Sequence, residues 1–448
     1  MRAPRPLRSR VFVLGVALIV GFVMFGVSAY GSSGTAATSG QPSASAAAAS
    51  CGGVANFVNY ICGKAGAANP KLAPVKIGWV NNQDGSIVSN GPEATAAAQL
   101  AVDWINKFAG GIGGHPLDLD TCFVKNAEEE GLACAQQFLA DPKVDVISYG
   151  SVTTGAATIN STVHAKKPII EGFAQNPSDV TNPGTYVLFV AAPIDFYAWG
   201  SVARDILHAK TAAVLYAQGS GFQADAQAVL TGLQSVGVKT KLVGYNVTTS
   251  DLTGALTAAG AKTAGMIAPI GGTPANCISI KKGLDTLGVS ASKVVANFSC
   301  ALDSEKAGYG GDIPKWLFGE AQSGDALTNS TVGVQYRKAL AAFKATSNVP
   351  DVWYSGMFGT IMTIAQFMNR IGYANLSPAA LAAQVKKFRG PLLLGQPKVQ
   401  CGKFPAYPAN CGDGDHFFRY QGHDKFVPVS AWTYMPVEVA KKLHAKGV

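Results

Sequence analysis

The cysteines, the histidines and a few acid and hydroxyl clusters are the residues whose chemistry could reach beyond packing in this 448-residue chain. Neither a GxSxG nor an HExxH pattern occurs. Ser290-Ala291-Ser292-Lys293 fits SxxK, but it follows Gly288-Val289 in a surface turn and has no partner motifs. Asp413, Asp415 and His416 with His423 form the one acid and histidine grouping, and the spacing a calcium loop needs is not met. The eight cysteines suggest local pairs: Cys51 with Cys62, Cys122 with Cys134, Cys277 with Cys300, and Cys401 with Cys411. No CxxC pair or Cys/His cluster offers metal geometry, so structural disulfides in an oxidising compartment are expected. Each closes a short loop worth about 3 kcal/mol in the chain-entropy picture. No catalytic residue, metal site or cofactor is expected.

Polar residues at the ends of apolar runs carry more information. Residues 76–80 have strand length, and a polar loop holding Ser89 and Asn90 follows. From Gly91 the period becomes helical, with Ala97, Leu100, Ala101, Trp104, Ile105 and Phe108 on one face. Gly110-Gly111 stops that helix, Gly113-Gly114 lies beyond, and 117–122 is a second strand. This is one βαβ unit, whose usual ligand crevice lies at the strand's carboxyl end. The GGIGG run follows a helix, whereas a phosphate cradle precedes one, so these glycines are a helix stop.

The alternation continues. A helix is expected over 126–140, a strand over 144–148, a hydroxyl-rich loop at 149–155, a small helix to His164, and a strand at 168–170. A loop of small and amide residues follows at 171–177. This order predicts a doubly wound parallel sheet. After an expected crossover at 187–193 the rhythm restarts. Helices are expected at 195–208, 222–236 and 251–260, and strands at 212–216, 242–245, 265–269 and 294–297. A second crossover is expected at 316–320. The stripe Met357, Ile361, Ile364, Met368 and Ile371 then reads as core packing. A third crossing near Lys398, a strand at 417–420 and a C-terminal helix complete the pattern. Three crossings make a hinge suited to clamshell closure. The expected division is 75–190 with 320–398 as one lobe and 191–319 with 399–448 as the other, preceded by 30–74 as a Ser/Ala-rich linker and cysteine clip.

Arg2, Arg5, Arg8 and Arg10 precede an apolar run at 11–30, the pattern of a cleaved signal peptide over 1–29 or of an uncleaved signal anchor. Either places the remainder outside the cytoplasmic membrane. These four arginines also contribute to the net charge of +9; without them 32 basic side chains face 27 acidic ones. The rest are scattered and not interleaved with aromatics, which excludes a nucleic-acid footprint.

The segment "GGIGGHPLDLDTC" after a helix ending in "AVDWIN" resembles the first βαβ unit of type I periplasmic binding proteins. It is most similar to the branched-chain amino acid (Leu/Ile/Val) receptors of ABC importers, and the likeness runs from about Val75 onward. The resemblance implies an α/β fold of two lobes, a small polar ligand such as an amino acid or a related amide or carboxylate, and delivery to a membrane permease. A membrane-anchored sensor and an exported hydrolase are the rival readings. The resemblance also implies roles for particular residues. Ser151 and Thr153 match the family's hydroxyl loop and Ala174 its second loop, where hydroxyls and backbone N–H groups hold a carboxylate. Gln175 stands where the family has Thr. Phe222 matches a Tyr that closes over the ligand, Gly272 and Thr273 replace another aromatic, and Ser299 replaces an acid that pairs with the ligand's ammonium. Glu171 and Glu320 are the nearest acids for that lost role, and Trp79 with Phe222 could form an apolar wall.

Overall fold

The computed structural model describes residues 51–83, 91–125, 127–218, 222–270, 273–320, 324–345 and 352–447. The alternation read from the sequence builds two α/β lobes. In the first, β1 (Val75–Asn81), β2 (Leu117–Phe123), β3 (Val144–Tyr149), β4 (Ile169–Ala174) and β5 (Thr185–Ala191) are all parallel, in the order β2-β1-β3-β4-β5. Both β2 and β5 end the sheet, yet β5, TYVLFVA, is buried at every residue and β2, LDLDTCF, exposes alternate side chains. Residues 409–411 cover the free edge of β5, where the Val187 N–H donates to the Ala409 carbonyl and the Cys411 N–H to the Val187 carbonyl, so the third crossing, expected near Lys398, follows Cys411. Residues 187–193, expected as a crossover, are therefore mostly this fifth strand, and the chain leaves the lobe after Ala191.

Helices α1 (Phe57–Tyr60) and α2 (Gly91–Phe108) share one core with the face of this sheet, and α3 (Glu128–Ala140) and α4 (Ala156–Val163) cover the other face. The short α5 (Pro177–Thr181) precedes β5. The glycine stop after α2 is as expected: Gly110 and Gly111 have φ of +71° and +67°, and a Cβ on Gly111 would collide with the His115 carbonyl.

The second lobe opens with a 3-10 turn (Asp195–Ala198) and α6 (Trp199–Asp205), then β6 (Thr211–Gln218), α7 (Phe222–Ser235), β7 (Lys239–Asn246), α8 (Thr253–Ala259), β8 (Met266–Ile270), α9 (Pro274–Thr286), β9 (Val295–Asn297), α10 (Lys306–Tyr309) and β10 (Leu317–Glu320). Residues 317–320 pair with β9, so they are a strand of this lobe and the expected second crossover follows them. Helices α11 (Thr331–Ala342), α12 (Val352–Ile371) and α13 (Pro378–Lys387) return to the first lobe, where Met357, Ile361, Ile364 and Met368 of α12 are buried in its core. The chain then gives β11 (Gly414–Tyr420), β12 (Phe426–Pro428), β13 (Thr433–Tyr434) and α14 (Val437–Lys442). Strand β11 pairs antiparallel with β10, which makes the second sheet mixed. It arrives through a disulfide-closed loop with no crossover helix, and a parallel pairing needs such a crossover.

All four disulfides join the cysteines that sequence proximity pairs. Of the expected 30–74 linker, residues 51–72 are no spacer. Phe57, Tyr60 and Ile61 are fully buried in the first lobe's core against α2 and α12. The backbone of Lys64, Gly66 and Ala68 bonds to the end of α2. The expected signal segment, 1–29, and residues 30–50 of the linker lie outside the described residues. Among the described residues no helix is long and apolar enough to cross a membrane.

Candidate functional site

Three loops at strand ends converge on the first lobe, and two asparagines hold them. Asn81 and Asn82 end β1 and are buried. Asn81 Nδ2 donates to the Gly91 carbonyl (2.6 Å) and to Thr95 Oγ1 (2.9 Å), while its Oδ1 accepts the Ser151 N–H (2.8 Å). Asn82 Nδ2 donates to the Val124 carbonyl (2.9 Å), and its Oδ1 accepts from Thr153 N (2.7 Å), Thr153 Oγ1 (3.2 Å) and Thr154 N (3.3 Å). A side-chain amide suits this place because it has both donors and acceptors for backbone groups that no sheet ladder satisfies.

A second carboxylate-centred network holds the loop after β4. Asp179 Oδ2 accepts from Gln175 N (3.1 Å) and Asn176 N (2.9 Å), and its Oδ1 accepts from Asn160 Nδ2 (2.7 Å). Asn160 in turn accepts from Tyr149 Oη (2.9 Å). Asn176 Nδ2 reaches the Val152 carbonyl (2.7 Å), which ties this loop to the hydroxyl loop. Burial raises the Asp179 pKa despite those hydrogen bonds, which act to lower it. Glu171 beside it is 1% exposed, and its Oε1 finds no hydrogen-bond partner among the described residues. Burial, helped by the nearby Asp179, pushes its carboxyl well above the usual range.

Of the residues expected to meet a ligand, the fold brings Ser151 and Gln175 together: Ser151 Oγ donates to Gln175 Oε1 at 3.3 Å. Thr153 is exposed beside them. Ala174 turns its side chain into a buried patch with Val180, Val187 and Ala191, so only its backbone can serve a ligand. Trp79 is fully buried and donates to Thr95 Oγ1 (3.0 Å); it is core and not wall. Ser89, Asn90, Gly272 and the Glu320 side chain lie outside the described residues.

In the second lobe Phe222 is half-buried at the start of α7, packed on two core clusters. Ser299 is exposed and its Oγ donates to Asn297 Oδ1 (2.7 Å). Thr273 caps α9 through reciprocal bonds with Asn276. A set of acids, of which the sequence singled out only Asp415 and in another grouping, lies at the hinge side of this lobe. Asp195 follows the first crossing, Asp225 sits in the first turn of α7, and Asp415 begins β11. Asp195 is part-exposed as a residue, yet its Oδ1 is sealed from solvent without a partner. Burial raises its pKa well above the ordinary value, and Asp225 and Asp415 add to the rise. Burial also pushes Asp225 up to about 7.

This gives a prediction for the ligand-free protein. Asp225 titrates near 7 in the fold against an ordinary 3.8, so the folded chain keeps a proton that the unfolded chain releases. The stability linked to this group is complete below 3.8 and is lost as pH rises through about 7. Asp225→Asn is expected to flatten that decline and to exceed the native protein at pH 8 by about 1–3 kcal/mol. Urea unfolding at pH 4 and pH 8 measures it, and equal declines in both proteins would refute it.

The other sequence candidates dissolve into local structure. Asp413 pairs with Lys403, and His423 lies in the turn between β11 and β12. His416 packs at a tilt against Phe418 and Trp432, bonds the Ser430 carbonyl (3.1 Å), and is pushed by burial down to about 4. Ser290 Oγ accepts from Ser292 N, which closes a surface turn. Among the described residues no group of three or more His, Cys, Asp or Glu side chains is placed to hold a metal ion.

The architecture has relatives. The leucine binding protein LivK from Thermotoga maritima superposes with a TM-score of 0.63 at 14% identity, over 80% of this chain and 99% of that one. An ABC transporter substrate-binding protein from Sphaerobacter thermophilus gives 0.68 at 15%, over 81% and 98%. A fatty acid ABC transporter substrate-binding protein from Thermomonospora curvata gives 0.65 at 13%, over 85% and 96%. At such identities the likeness shows the fold alone, the two-lobed type I periplasmic binding protein fold. No curated protein matches the sequence. The family model described as periplasmic binding protein matches residues 74–402. Since that match spans well over half of the sequence, the chain belongs to the periplasmic binding protein family.

Proposed function

We propose that this protein is an extracytoplasmic solute-binding protein that captures a small polar molecule between its lobes and delivers it unchanged to the permease of an ABC importer. The observation that carries this reading is the pair of preorganised strand-end loops, Ser151–Thr154 and Ala174–Asn176, locked by Asn81, Asn82 and Asp179. Rigid loops lose little entropy when a ligand arrives. Their polar groups stand at the carboxyl ends of parallel strands, where open α/β sheets bind ligands. Solved relatives described as leucine-binding, fatty-acid-binding and ABC-transporter proteins support the transport role and show that the fold admits dissimilar ligands.

The lobes are 51–191 with 324–411 and 192–320 with 412–447, joined by the three crossings. Ser151, Thr153, Gln175 and the Ala174 backbone form one jaw, and Phe222 and Ser299 belong to the other. A ligand that touches both jaws stabilises the closed form by its differential affinity, and the permease reads closure.

Native mass spectrometry of the exported protein, after incubation with a library of small polar metabolites, tests this. A bound molecule recovered chemically intact is expected. No bound molecule, or a recovered product of altered mass, would end the reading. Ser151→Ala is expected to weaken binding of the molecule so found by about 1–3 kcal/mol by calorimetry, because its hydroxyl meets a ligand polar group. Unchanged affinity removes Ser151 from the jaw.

A further inference from the structure

We infer that the ligand carries an amine or amidine cation and no carboxylate; this rests on the solute-binding reading above and narrows it. An anion at a strand end or helix start is held by unpaired backbone N–H groups. Here six such groups are already taken by side chains. Ser151 N goes to Asn81, Thr153 N and Thr154 N to Asn82, Gly155 N to Glu128 (2.9 Å), and Gln175 N and Asn176 N to Asp179. Two of the four acceptors are carboxylates, so a ligand carboxylate would meet charge of its own sign at the N–H groups it needs.

The hydroxyls follow the same pattern. Ser151 Oγ gives its proton to Gln175, Thr153 Oγ1 to Asn82, and Ser299 Oγ to Asn297. A hydroxyl that donates inward offers only lone pairs outward. These three hydroxyls therefore offer acceptors at positions where a carboxylate would need donors.

The second lobe supplies an independent observation. Asp225 is 9% exposed and its carboxyl makes no hydrogen bond to another described residue. It sits in the first turn of α7, three residues after Phe222, at the carboxyl-end side of β6. Asp195, with its sealed and unpartnered Oδ1, stands close enough to feel its charge. Asp195 keeps one sealed oxygen without a donor, and Asp225, largely buried, has no hydrogen-bond donor among the described residues; a carboxyl so placed is costly alone. A ligand ammonium or amidinium supplies the missing donors and counter-charge, and it brings no acceptor of its own that would have to compete for the occupied N–H groups.

Calorimetry on the exported chain with three matched pairs tests this: isoamylamine against leucine, cadaverine against lysine, and agmatine against arginine. In at least one pair the amine is expected to bind at least tenfold more tightly than its amino acid. The inference fails if the amino acid equals or beats its amine in every pair that binds, or if no amine binds. When an amino acid or another metabolite binds and is recovered intact, that failure leaves the solute-binding reading standing; when nothing small binds, both fall. Asp225→Asn is expected to lose at least tenfold in affinity for the amine while melting no lower than the native protein. A purely structural aspartate would not separate these readouts. Undiminished amine binding by Asp225→Asn overturns its assignment.

Discussion

Tyr60→Ala is expected to lower the unfolding free energy by about 4–5 kcal/mol, although the residue precedes the first strand and lies outside the span that the family model matches. Tyr60 is fully buried, and its Oη stands at a junction: Thr363 Oγ1 of α12 at 2.8 Å, the Pro391 carbonyl at 3.3 Å and the Leu393 N–H at 3.0 Å. Its carbonyl accepts from Gln366 Nε2 (2.6 Å). Truncation opens a cavity in the first lobe's core and strands the Leu393 amide without an acceptor, and the two costs add. Tyr60→Phe keeps the ring and loses only the junction, for about 1–3 kcal/mol. Urea denaturation gives both values, and hydrogen exchange at Leu393 should accelerate in both variants. A Tyr60→Ala protein as stable as the native one would make residues 51–72 an appendage.

Asn82→Ala is expected to cost about 2–4 kcal/mol of stability and at least one order of magnitude in ligand affinity. Removing the amide leaves Thr153 N, Thr154 N and the Val124 carbonyl without their partner at once. The Val124 carbonyl is buried and costs its desolvation when orphaned, while water reaches the amides of exposed Thr153 and half-buried Thr154 more easily; three bonds lost together still exceed one average hydrogen bond. The loop that carries Ser151 and Thr153 then relaxes, and the jaw is no longer preorganised. Melting temperature and calorimetry on the same sample separate the two effects. Affinity kept at the native value in a destabilised variant would show that Asn82 supports the fold alone.

Much of this architecture was legible in the sequence. The change of period at Gly91, the glycine stop and the β-loop-α rhythm depend on local backbone chemistry and stand in the expected order, although β4 runs on to Ala174 through residues expected as loop, and 195–208 divides into a 3-10 turn and a helix ending at Asp205. The cysteine pairs were legible because each closes a short loop. The errors have physical causes too. Residues 187–193 looked like a crossover because a strand buried on both faces has no alternation to mark it. Residues 317–320 form a four-residue strand, too short to carry a period. In the 51–72 segment the apolar residues gather mainly at Phe57, Val58, Tyr60 and Ile61, and such a short run does not say what it packs against.

The candidate site divides the same way. That hydroxyls would gather after β3 and amides after β4 follows from the order of residues along the chain. That their N–H groups are already spent does not, because Asn81 and Asn82 meet Ser151 and Thr153 about seventy positions away, through the parallel pairing of β1 with β3. Asp195, Asp225 and Asp415 come together from three distant stretches, one after the first crossing, one in α7 and one in β11. By itself the sequence determined most of the elements and the disulfides, since these rest on contacts between near neighbours, and its family resemblance carried the two-lobed class. The tertiary structure decided which polar groups are satisfied and which carboxyls lack a partner. Hydrogen-bond satisfaction depends on what lies within three ångströms in space, and chain spacing does not encode that.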